Sequence, residues 1–185
     1  DFTGLDVLWQ QFISDDPEIR SVAAYGIVRA ASRALPRLIE LLETADPGLQ
    51  LRMIDVIGDI ALEAASATST LVSLSNSEDV KVRRATFEAL GMVTQTDEVL
   101  APDVVAVLGK GLDDEDAIVV RNATFAISRL GAKACTDSII DQVDRNLSHW
   151  HHHVRGWSIE ALQRLENPRA MELALSYLMS ARWDP

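Results

Sequence analysis

The stretch Val82-Arg83-Arg84-Ala85-Thr86-Phe87-Glu88-Ala89-Leu90 (VRRATFEAL) decides how the rest of the chain is read. It recurs without gaps as VRNATFAIS at 120–128 and VRGWSIEAL at 154–162. Two earlier segments, DPEIRSVAAYGIV (16–28) and DPGLQLRMIDVIG (46–58), share one opening with each other. The slot after the apolar residue is held by Arg20, Gln50, Arg83, Arg121 and Arg155, at spacings of 30, 33, 38 and 34 residues. A period of this size with only helical patterning implies stacked helix pairs.

The helix starts agree independently. Asp16-Pro17, Asp46-Pro47 and Asn167-Pro168 each place an N-cap acceptor before a proline at the first helical position, where the missing N–H costs nothing. Pro36 and Pro102 fall in the first turn of two further expected helices. The pattern predicts A helices near 4–13, 34–43, 68–75, 102–112 and 136–147. B helices are predicted near 17–30, 47–62, 79–93, 116–130 and 150–165, with a last helix near 168–181. Serine and threonine make 64–75 (AASATSTLVSLS) the weakest of these segments.

Within the B helices the residue before the slot is always apolar: Ile19, Leu49, Val82, Val120, Val154. Four after it come Ala24, Ile54, Phe87, Phe125 and Ile159, and seven after it Ile27, Ile57, Leu90, Ser128 and Leu162. Positions so spaced share a helix face, and these rows are expected inside. Six after the slot, Gly26, Val56, Ala89, Ile127 and Ala161 are mostly small. One helix pair cannot bury its own stripe, so stability is expected to come from stacking. Trp9 and Trp183, in the first and last expected helices, either cap the stack or mark docking points.

Composition narrows function. The 185 residues carry a net charge of −11, which argues against a phosphate-binding surface and so against nucleic acid. No apolar run approaches the roughly 18 residues of a membrane span. The single cysteine, Cys135, forms no internal disulfide and suits a reducing compartment, so a cytoplasmic location is expected. The chain opens at Asp1 without a methionine, as a piece of a longer protein would. NAT at 122 and NLS at 146 match glycosylation acceptors but fall on expected helices. GKG at 109–111 lacks the rest of a phosphate loop. No catalytic motif and no cofactor motif is present, so binding is expected rather than catalysis.

The turn Asp-Pro-x-Ile/Val-Arg, followed by x-x-Ala and Ala-Leu-Gly, resembles HEAT repeats, and its short period resembles the PBS-lyase HEAT-like subgroup. DPEIRSVAAYGIV and SEDVKVRRATFEALGMV carry the likeness best. The resemblance implies an all-α fold: one right-handed α-solenoid (α–α superhelix) over 1–185, of about five helix-pair repeats plus a terminal helix. It implies that each slot arginine reaches the acidic turn of a neighbouring repeat, with Asp16, Asp46, Asp79 and Asp114 as acceptors. It also implies that B helices line a concave groove. The positions one and five after the slot would then face the groove: Ser21 and Tyr25, Leu51 and Asp55, Arg84 and Glu88, Asn122 and Ala126, Gly156 and Glu160. From these, Tyr25, Leu51, Asp55, Arg84, Glu88, Asn122 and Glu160 form the candidate partner-binding set, set against the alternative of a merely solvated face. A protein or peptide of basic or amphipathic character is the expected partner. The competing reading is a bilin lyase or chaperone-like activity. Lesion recognition by HEAT-like glycosylases would need a basic face, whereas this one is acidic.

All four histidines lie in SHWHHHVRGW (148–157). Ser148 is expected to cap the fifth B helix. His149 and His153 would share a face if the helix already included 149, but two ligands fall short of the three or four a metal needs, so none is expected. Two readings stand: an exposed helix start packed beside aromatics, and a secondary partner contact at Trp150 with His149 and His153. Histidines near a helix N-terminus are disfavoured as cations and are expected to be neutral at pH 7.

Overall fold

A computed structural model describes residues 2–94 and 102–181. Every regular element among these is helical, and the chain divides into two compact units, Asp1–Thr96 and Asp97–Pro185. The first holds α1 (Phe2–Phe12), α2 (Pro17–Ala30), α3 (Leu35–Leu42), α4 (Pro47–Ile60), α5 (Thr68–Leu74) and α6 (Val80–Val93). Here α1 packs on α2, α3 on α4 and α5 on α6, while the B helices α2, α4 and α6 pack in succession. The second holds α7 (Pro102–Leu112), α8 (Ala117–Leu130), α9 (Asp137–Asn146), α10 (His152–Arg164) and α11 (Pro168–Ala181). In it α7 pairs with α8 and α9 with α10, α8 packs on α10, and α11 closes against α10. Each predicted helix is present, with ends shifted by a few residues. Trp183 lies outside the described residues, whereas Trp9 is buried, edge-on to Phe12 and beneath the Arg37 guanidinium.

The first four B helices, α2, α4, α6 and α8, each start on a side-chain acceptor satisfying backbone donors that the first turn leaves unpaired. Asp16 Oδ1 accepts from Glu18 and Ile19, Asp46 Oδ1 from Gly48 and Leu49, Asp79 Oδ1 from Lys81, and Asp116 Oδ1 from Ile118 and Val119. The aspartates are therefore occupied as caps, and the slot side chains bond the carbonyls of the turn. Arg20 Nη1 donates to the carbonyls of Ser14 and Asp15, both at 2.7 Å. Arg83 does the same to Ser77 and Glu78, Arg155 to His149 and Trp150, and Gln50 Nε2 donates to Leu42 O. The slot thus fastens the A–B turn of its own repeat through carbonyls, and at Arg20, Gln50 and Arg155 these bonds take the place of the reach to a neighbour's acidic turn that the resemblance implied. Asp114 Oδ1 accepts the amide of the capping Asp116. Losing two charge-assisted bonds at a half-buried site should cost about 1–2 kcal/mol, so Arg83→Ala is expected to lower the unfolding free energy from a urea titration by that much at unchanged helicity.

The fourth repeat runs one residue out of the expected register. The capping aspartate sits four residues before Arg20, Gln50 and Arg83, and Asp116 sits four before Val120, not Arg121. Counting from Val120 restores every row. Six after it is the small Ala126 and seven after it Ile127, both fully buried; Thr124, also fully buried, takes the place of Phe87, and Phe125 is only half-buried. The position seven after the slot is then fully buried in each repeat: Ile27, Ile57 and Leu90 in the first unit, Ile127 and Leu162 in the second. The row before the slot is buried at Val82, Val119 and Val154, but Ile19 in the first repeat is 42% exposed, against expectation.

Eleven residues past the slot the chain turns sharply, with positive φ at Ala31 (35°), Ala61 (54°), Gly131 (56°) and Glu166 (52°). Short 3-10 segments follow at Ala31–Arg33, Ala61–Ala67 and Gly131–Ala134. Because Ala61–Ala67 is of this kind, α4 ends at Ile60 and α5 is only seven residues long.

Candidate binding face

In the first unit, Tyr25 on α2 is 70% exposed, Asp55 and Glu88 are exposed, and Leu51 and Arg84 are half-buried. Asp55 and Glu88 come together across α4 and α6 at a notch of about 240 Å³, whose floor is Ile54, Gly58, Ala85 and Ala89. Asp59, one turn beyond Asp55, lines the same notch, as does Met92. The pKa of the Asp55 carboxyl is raised above its ordinary value, first by partial burial of the carboxyl at the notch and then by the like charges of Glu88 and Asp59. Asp59 was absent from the expected set, although its i,i+4 relation to Asp55 was the available signal.

In the second unit, Asn122 is 3% exposed and its Oδ1 accepts from Arg121 Nε, which takes it out of the exposed row. The one-residue register change is the cause, and it puts Arg121 and Phe125 in the row in place of Asn122 and Ala126. Phe125 meets Trp157 of α10 edge to face, centroids 5.0 Å apart. Glu160 is ion-paired with Arg164 one turn on, and Gly156 is exposed. The NAT and NLS asparagines are both buried, Asn146 donating to Leu112 O.

α10 begins at His152 with His151 as N-cap and no side-chain cap, so Ser148 does not cap it. His149 lies in the preceding turn and shares no helical face with His153. Among the described residues no group of three or more His, Cys, Asp or Glu is placed to hold a metal. Trp150 is 78% exposed, stacked on His149 at 5.5 Å. His149 Nδ1 accepts the N–H of His151 at 3.1 Å, the position at which Ser14 and Ser77 hydroxyls accept from Asp16 and Asp79. This bond needs an unprotonated Nδ1. Burial first, and Arg155 second, lower the His149 pKa.

A histidine whose folded pKa is depressed stabilises fully above its unfolded value, about 6.5, and loses that contribution as pH falls below it. Thermal unfolding is expected to be level from about pH 8 to 7 and to shift downward below 6.5. His149→Ser keeps the acceptor without the titration and should flatten that decline. An equal acid slope in wild type and variant would remove His149 from the account.

Capped, turn-fastened helix pairs repeating every 30–37 residues define a protein of the α-solenoid repeat class. The model of the family HEAT repeats matches residues 35–128, and the chain belongs to that family. Among solved structures it is similar in fold to a designed armadillo repeat protein in complex with the peptide (KR)4: 17% identity over 95% of this chain and 98% of that one, TM-score 0.69. A second designed armadillo repeat protein gives 19% identity over 98% and 93%, TM-score 0.72. The complex of CpcE and CpcF of phycocyanin lyase from Nostoc gives 19% over 87% and 99%, TM-score 0.70. No curated protein matches in sequence. Among the described residues no helix is long and apolar enough to cross a membrane.

Proposed function

We propose that this chain, a single solenoid over 1–185, is a protein-interaction scaffold that binds a basic, extended segment of a partner protein on its exposed B-helix row. The single observation carrying this is the α4–α6 notch, where partial burial and two neighbouring carboxylates keep the Asp55 pKa above its ordinary value. A lysine or arginine side chain seated there would relieve both effects, with Leu51 and Tyr25 giving apolar contact to the flanking residues. The fold likeness to a designed repeat protein carrying the alternating lysine–arginine peptide (KR)4 supports the same reading. In the second unit, Phe125 and Trp157 offer an aromatic contact, and Trp150 an exposed one.

The test is fluorescence anisotropy with labelled (KR)4 and an acidic control peptide. Binding of (KR)4 alone is expected, weakening with salt, and Asp55→Lys/Glu88→Lys should lower affinity at least tenfold, about 1.4 kcal/mol. Equal binding by the reversed variant, or by the acidic peptide, would refute the proposal. The second reading, bilin handling, has the likeness to phycocyanin lyase in its favour; a bilin mixed with the protein and showing no spectral shift removes it.

A further inference from the structure

A hollow of about 670 Å³ opens between α1, α2, the 31–33 turn and α3. Two glycines shape it, one packed closely against Leu8 and one facing open space. Gly26 occupies the small-residue row that Val56, Ala89, Ala126 and Ala161 fill elsewhere, and a Cβ there would stand 2.7 Å from Leu8 Cδ2. Across the hollow, a Cβ on Gly4 would meet nothing within 4 Å. Leu5, Leu8, Ala30 and Pro36 supply an apolar wall, while Arg29, Ser32 and Arg33 supply the polar lining.

The arginines are the informative part. In a chain with 28 acidic and 17 basic residues, neither Arg29 nor Arg33 has an ion pair or side-chain hydrogen bond with any described residue. The adjacent Arg37, by contrast, pairs with Asp6 at 3.1 Å and lies over Trp9. Apolar pockets of several hundred Å³ with a few convergent polar groups are the usual form of a small-molecule site. Two uncommitted guanidiniums with a neighbouring hydroxyl match a carboxylate in charge and donor number. We infer that this hollow binds a small amphipathic carboxylate, its aliphatic tail against Leu5, Leu8 and Pro36 and its head on Arg29 and Arg33. The hollow shares no residue with the α4–α6 notch, so it stands independently of the scaffold reading.

Calorimetric titration of the full chain with octanoate, decanoate and dodecanoate tests this, with decanol and decyltrimethylammonium as controls. Saturable carboxylate binding is expected, tightening about tenfold for each added pair of methylenes until the hollow is filled. Arg29→Ala/Arg33→Ala should weaken decanoate at least tenfold and leave decanol unchanged. Gly4→Trp, placed in open space, should block binding at an unaltered melting temperature; should that variant fail to fold, the exposed arginine pair still decides. No saturation by about 1 mM decanoate, equal binding of the cationic control, or an unchanged arginine variant would each overturn the inference.

Discussion

Gly131→Ala is expected to destabilise the second unit by about 2–6 kcal/mol. Gly131 sits at φ 56°, ψ −134°, where an L side chain is strained at a cost of about 1–3 kcal/mol. Its Cβ would also stand 2.9 Å from the backbone carbonyl of Arg164, the last residue of α10. A carbonyl cannot swing aside as a side-chain tip can, so the α8–α10 contact has to shift, adding about 1–3 kcal/mol. The equivalent residue in the second repeat is Ala61, at φ 54°, ψ −122°. There the opposite substitution, Ala61→Gly, relieves the same strain while loosening the unfolded chain by about 0.4–1 kcal/mol, for a net gain of about 1 kcal/mol. Denaturant titration of both variants checks the pair. A Gly131→Ala protein as stable as wild type would show that the turn does not hold this conformation.

Why these turns escaped a reading of sequence is physical. Periodicity reports which face of a helix is buried, and Asp-Pro reports where a helix begins, so the helices and their starts were legible. A helix end without glycine leaves little trace: Ala31, Ala61 and Glu166 look like helix formers and are turned by tertiary packing. The fastening of the turns was half legible. The slot stood out as a repeated polar position, but which acceptor it reaches depends on side-chain direction, and the aspartates were already committed as caps. At the candidate face, Asp55 and Glu88 were readable from spacing within the first unit. Their meeting across α4 and α6 was not, because it depends on how closely Gly58 and Ala89 let the two helices approach.

Phe87→Ala is expected to cost about 3–5 kcal/mol and Phe125→Ala only about 1–2 kcal/mol, although the two residues align in the gapless repeat. Phe87 is 2% exposed, so truncation removes a whole buried ring and leaves a cavity. Phe125 is half-buried against Trp157, so its loss forfeits an edge-to-face contact and part of an apolar area. The difference follows from the register: Asp116 caps α8 five residues before Arg121, one more than separates cap from slot elsewhere, so VRNATF resembles VRRATF in letters while lying a position out of phase on its helix. Two signs were present in the sequence, Ser128 standing in an otherwise oily row and Ile127 in a row of small residues. The same shift predicts that Ile127→Ala, at a fully buried position, costs about 2–5 kcal/mol. Ser128→Ala removes only a hydroxyl bonded to Phe125 O and costs about 1 kcal/mol. Four single variants under one denaturation protocol therefore decide between the two registers: large, small, large, small in the order Phe87, Phe125, Ile127, Ser128 supports the slot at Val120. Equal losses at Phe87 and Phe125 would return it to Arg121, and with it Asn122 to the exposed face.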